Sequence, residues 1–185
     1  MRLRIRRRLL IGGIACLVAP GLTSVALLSA PSAGAASRGG VIYAYGTPAL
    51  SGPDGTIVIA GAVGDYGPTI KVDRAGHTDP TGTFGKLVLQ RGTIMINNTA
   101  LQRAIQAGSR HAHLNPATCS LHGTISAPSK IVSGTGAYAH ITGTIKVTFT
   151  MAELVGRLAG GGCNTKAGPI AVYASIFGTG TVRFG

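Results

Sequence analysis

Tryptophan is absent, acidic side chains number only five, and charged residues make up 12% of a chain that is 45% hydrophobic. So little charge beside so much apolar surface excludes a disordered chain, and five carboxylates cannot build the charged flanks of a coiled coil. The 29 glycines follow no three-residue period, which excludes a collagen-like helix. Also missing are a Gly-x-Ser-x-Gly elbow, a Cys–His nucleophile pair and a glycine-rich loop leading into a helix, so the common hydrolase and phosphate-binding signatures are not written here. Three cysteines without a CxxC spacing leave no zinc-finger pattern. These absences leave one apolar globular domain that requires no metal or cofactor.

Five of the seventeen basic residues crowd the first eight positions. Arg2, Arg4, Arg6, Arg7 and Arg8 precede the uncharged stretch Leu9–Ala30, and the small residues Ala33–Ala36 follow. A basic region, an apolar region and a small-residue cleavage site make a secretory signal, with cleavage expected near Ala36 and residues 37–185 as the exported domain. Retention as an anchor is the alternative, because 22 uncharged residues are long enough to span a bilayer. Pro20-Gly21 interrupts that stretch, which favours the cleaved signal. The exported part keeps 12 basic and five acidic residues, and two of the three cysteines, Cys119 and Cys163. In an oxidising compartment this even pair reads as one disulfide, closing a loop of about 45 residues at a gain of roughly 4 kcal/mol; two buried thiols are the alternative.

Hydropathy along residues 37–185 alternates with a period of two. Ile141, Gly143, Ile145, Val147 and Phe149 share one phase, and Thr142, Thr144, Lys146 and Thr148 share the other, which predicts a half-buried strand. The stretch 118–126 repeats the pattern and turns Cys119 toward the core. Residues 56–63 and 170–177 are apolar in both phases and are expected to be covered on both faces. Further strands are expected at 41–45, 84–90, 93–97, 130–133 and 181–184. One short helix is expected near 99–107, opened by a Thr99–Gln102 capping box, or by a cap from Asn97-Asn98, and stopped at Gly108. The dipeptide Gly-Thr occurs nine times, and Gly92, Gly123, Gly143 and Gly178 fall where strands would bend. Many short bent antiparallel strands predict an all-β barrel or sandwich.

The stretch Ile131-Val132-Ser133-Gly134-Thr135-Gly136-Ala137-Tyr138, continuing to Gly143, resembles the glycine-rich hairpin of the allene-oxide-cyclase and dirigent-like barrels, with Ser133 in place of the first glycine. Gly64-Asp65-Tyr66-Gly67, Asn115-Pro116-Ala117-Thr118-Cys119 and the closing Gly178–Phe184 resemble a group of small secreted actinobacterial proteins. The resemblance implies an eight-stranded antiparallel barrel able to enclose an apolar molecule, often as a dimer or trimer. It transfers no catalytic residue.

Acid–base chemistry needs carboxylates in pairs or beside a histidine. The four aspartates, Asp54, Asp65, Asp73 and Asp79, instead sit in turn sequences, where Asp bonds its own local backbone, and Glu153 is expected beyond a strand end. Asp65 and Tyr66, held between two glycines, could face a cavity mouth, and with Tyr138 they are the only residues nominated for catalysis. His111 and His113 could share a face, but no third metal ligand accompanies them. His122 and His140 lie on polar strand phases that point either outward or into a polar lumen. The basic residues are evenly spread without interleaved aromatics, which argues against specific nucleic-acid binding and leaves an anionic cell-envelope polymer as a weak partner. The expected function is a secreted, non-enzymatic barrel that binds a small apolar ligand or acts as a surface interaction module. The alternatives are a cofactor-free isomerase or cyclase working in the cavity, and a purely structural envelope protein. A homo-oligomer is compatible with each.

Overall fold

The computed structural model describes residues 38–48 and 54–185; the expected signal segment and the expected cleavage point near Ala36 lie outside them. Eight antiparallel strands follow one another in chain order and close into a barrel: β1 Gly39–Thr47, β2 Asp54–Gly61, β3 Asp65–Val72, β4 Phe84–Leu89, β5 Gly92–Asn97, β6 Ser120–Gly134, β7 Thr142–Val155 and β8 Pro169–Arg183. Closure pairs β1 with β8, from Gly39 opposite Arg183 to Gly46 opposite Ile176. One helix, α1 Thr99–Arg110, connects β5 to β6, and a short 3₁₀ turn, Gly136–Tyr138, lies between β6 and β7.

The period-two pattern sorts itself across the barrel wall. Ile42, Ile57, Ile59, Leu87, Ile94, Ile131, Ile145, Val147 and Val182 are buried in one continuous core, while Thr142, Thr144, Lys146, His122 and His140 are exposed. The polar phase therefore points outward. Val58, Tyr173 and Phe177 are also exposed, so 56–63 and 170–177 are not covered on both faces as expected. A single closed wall gives each strand only one dry side, and no second layer lies over the outside among the described residues.

Two prolines hide strands from a sequence reading. Pro128 joins the expected 118–126 and 130–133 segments into the single strand β6, and Pro68 lies in β3, which was not expected as a strand at all. Both sit where one ladder is missing. β5 pairs with β6 only over residues 130–134, and β4 pairs with β3 only from Thr69 onward, so neither proline is bonded on both sides. The last two expected strands, 170–177 and 181–184, are likewise one strand, β8, and β7 runs through Glu153 to Val155.

Helix α1 is longer than expected and does not stop at Gly108. That glycine lies against Ile125 of β6, where a Cβ would collide with the isoleucine side chain, so it serves close packing and not termination. The capping box does not form either. Asn97 Oδ1 accepts the Thr99 N–H at 3.0 Å, and the Thr99 hydroxyl instead donates to Thr83 Oγ1 at 3.0 Å, tying the helix start to the loop before β4. Leu101 is buried and Ile105 half-buried against the core, as a short amphipathic helix requires.

Cys119 and Cys163 form a disulfide with Cα atoms 5.4 Å apart. Cys119 is buried just before β6 begins, and Cys163 lies in the β7–β8 connection, so the bond clamps the far ends of the three longest strands.

Candidate functional site

The two barrel ends differ in chemistry. One end gathers the β2–β3 and β4–β5 turns, the β6–β7 connection and the start of β1. Here Asp65, the first residue of β3, is buried. Its Oδ1 accepts the main-chain N–H of Tyr66 at 2.8 Å and of Gln90 at 3.3 Å; its Oδ2 accepts the Arg91 N–H at 3.1 Å and the Tyr138 hydroxyl at 2.5 Å. The Arg91 guanidinium adds a contact from Nε at 3.5 Å, lies 5.7 Å from the Tyr138 ring centroid, and donates to the carbonyls of Val63 and Gly64.

Desolvation acts to raise the Asp65 carboxyl, but the bond from Tyr138 and those from the three main-chain amides outweigh it and bring the group down to about 2. Burial, and then the bond to Asp65, push the Tyr138 phenol up to about 12 against the opposing charge of Arg91. Gly136, with φ of 62°, lets the β6–β7 connection fold against the Arg91 carbonyl, where any Cβ would collide. This assembly is a plug. Asp65 does not face a cavity mouth, its acceptor positions are filled, and the Tyr66 ring is exposed on the outer wall.

The opposite end is open inward. A cavity of about 380 Å³ extends from the lumen to a mouth flanked by α1 and the β3–β4 loop. Its wall is mostly aliphatic, drawn from the inward phase of the strands (Ile57, Leu87, Ile96, Ile145, Val147), with Leu101 and Ile105 of the helix along one side. Gly178 adds no side chain there. Polar groups at the lining come from Lys71, Asn98, Gln102 and several threonines, with no carboxylate among the described lining residues. Lys71 Nζ donates to the Pro80 carbonyl at 3.0 Å, which holds the amine beside the mouth.

The remaining candidates serve the loops. Asp73 accepts the His77 N–H at 2.9 Å and faces its ring at 3.2 Å, and Asp79 accepts both the N–H and the hydroxyl of Thr81. These bonds hold both carboxyls below the ordinary range, chiefly the His77 main-chain N–H for Asp73 and the Thr81 hydroxyl for Asp79. Asp54 opens β2. His111 and His113 are exposed beyond α1, and no group of three metal-ligating side chains occurs among the described residues.

Structure thus brings together two of the three nominated residues, Asp65 and Tyr138, across 73 positions of sequence, and adds Arg91, which sequence reasoning missed. A turn between two strand runs was visible at Gln90-Arg91-Gly92, but nothing local shows where its side chain turns. Lys71, Asn98 and Gln102 were missed too, because a mouth is assembled from separate segments. Comparison of the chain with protein-family models, curated proteins and solved structures finds no match.

Proposed function

We propose that this is an exported, non-enzymatic barrel that takes a small apolar molecule into the open end of its cylinder. The observation that carries the reading is the cavity of about 380 Å³ with a mainly aliphatic wall and a few polar groups at its mouth. Ligand sites have this make-up, from roughly 300 Å³ upward: an apolar enclosure supplies affinity and a few polar groups orient the guest. A molecule with an apolar body and a polar end near Lys71, Asn98 and Gln102 suits this lining. The cyclase alternative loses support because Asp65 and Tyr138 close the other end and do not line the cavity. The N-terminal signal pattern and the disulfide support export. Lys130 and Lys146, exposed among threonines on β6 and β7, support a weak, salt-sensitive attraction to anionic envelope polymer.

Solvent extraction of the purified native protein, followed by titration with the uncharged probe N-phenyl-1-naphthylamine, tests the reading. One recovered lipid-like compound and saturable single-site binding are expected. Ile105→Trp, which fills the mouth from α1, should weaken probe binding about tenfold, or 1.4 kcal/mol, with little change in Tm. An empty extract together with no saturable binding would overturn the proposal.

A further inference from the structure

Strands β6, β7 and β8 run past the barrel at its open end as a three-stranded tongue. β7 lies in the middle, paired from Ser120 of β6 to Leu154 and from Pro169 of β8 to Val155. The two outer edges are treated differently. On β6, residues 120–129 have no strand beyond them among the described residues, but α1 lies along them with Gly108 against Ile125. On β8, pairing with β1 ends at Ile176, and Pro169–Ser175 has a ladder partner on one side only among the described residues.

Proteins blunt such edges with lysines, inward charges, bulges or a covering element, because a bare row of N–H and C=O groups templates pairing with another chain. Among the described residues this edge has none of those devices beyond Pro169 at its start and a register shift at Ile170, opposite Leu154 and Val155. No charged residue occurs between Lys166 and Arg183, and the sequence Ile-Ala-Val-Tyr-Ala-Ser has the composition of a strand that pairs readily. Its side chains stand out on both faces, with Ile170 72%, Val172 37% and Tyr173 61% exposed, and Leu154 of β7 beside them at 44%.

We propose that Pro169–Ser175 of β8 pairs antiparallel with the same segment of a second copy of this chain. Charge and area favour this occupant. Two copies of a basic chain repel over most of their surfaces, and here they meet where neither carries a charge. The exposed apolar side chains and the seven-residue strip of main chain offer roughly 500 Å² on each copy, and about 1,000 Å² in total is the floor for a specific interface. A register centred on Val172 sets Tyr173 opposite Ala171 and Ile170 opposite Ala174 of the second copy, large against small. The two sheets then become one, and each cavity keeps its own mouth.

Sedimentation velocity across a concentration series tests this directly, with hydrogen exchange read on the same samples. The wild type is expected to dimerise, and the double substitution Ile170→Lys with Tyr173→Lys, at two exposed positions, should raise the dimer Kd at least about tenfold by forcing charge into an apolar seam, with the two substituted 173 positions on the diagonal of each other. Val58→Lys, on the outer wall away from the edge, should leave the Kd unchanged. Alternate amides of 170–175 should gain protection only as the dimer forms. A wild type that stays monomeric to about 100 µM, a dimer broken by Val58→Lys and not by the edge pair, or protection in the monomer of the alternate amides that point away from β7 would each overturn the proposal.

Discussion

The two ends of this barrel solve the same problem by different means. A cylinder of eight strands has a lumen that must be filled, capped or occupied. At one end a carboxylate, a phenol and a guanidinium converge with three main-chain amides and close it from within. At the other the wall stays aliphatic, the volume stays open, and stiffness comes from outside, from α1 along β6 and a disulfide across the tongue. Filling the lumen with polar atoms needs every one of them satisfied, and that leaves no room for a guest. Holding the mouth from outside leaves the interior free. The difference leaves enclosed space at one end and a satisfied polar plug at the other.

Removing the covalent clamp is the strongest way to break this contrast. Cys119→Ser combined with Cys163→Ser is expected to lower the unfolding free energy by about 4 kcal/mol, since the bond closes a long loop. Hydrogen exchange should show the loss in the tongue, at 120–126 and 150–155, while amides around Gln90 and Arg91 stay protected below global unfolding.

Tyr138→Phe attacks the other end. It removes a hydrogen bond to a charged group and leaves the ring in place, so chemical denaturation should register a loss of about 2 kcal/mol, with probe binding at the open end unchanged. A fall in binding as large as the fall in stability would show that the two ends are not separable.

The same end sets the pH range. Asp65 titrates lower in the folded chain than in the unfolded one, so its contribution is complete above the unfolded pKa of about 4 and is lost as pH falls toward 2. Tyr138 titrates higher when folded, so its contribution is complete below pH of about 10 and is lost as pH rises toward 12. Thermal scans should therefore show Tm falling at both extremes, and Tyr138→Phe should abolish the alkaline limb and shrink the acid one.

The smallest effect concerns Ser129, buried on the inner phase of β6 with its hydroxyl unpaired among the described residues. Replacing it with Ala removes a polar group that nothing satisfies, so Ser129→Ala should leave stability within about 1 kcal/mol, on the stabilising side. A loss of more than that would reveal a partner for the hydroxyl.

Legibility followed the range of the interactions. Alternation from Ile141 to Phe149 predicted β7 and its dry face, because a strand's two sides are set by consecutive residues. β3 was missed because Gly64-Asp65-Tyr66-Gly67 read as a turn, and only its neighbours reveal that Pro68 sits where pairing with β4 has not yet begun. Gly108 was read as a helix stop because its close contact with Ile125 is made by a strand that starts ten residues beyond the helix.

By itself, then, the sequence determined the class of fold, the pairing of Cys119 with Cys163 and most strand positions, since period, composition and cysteine count act locally or by simple arithmetic. Only the tertiary structure decided that the threonines and histidines face out, that Asp65 and Tyr138 meet in a plug and not at a mouth, and that Pro169–Ser175 of β8 has a ladder partner on one side only among the described residues. Each of those depends on barrel closure, which sets inside against outside and brings together residues that no local pattern relates.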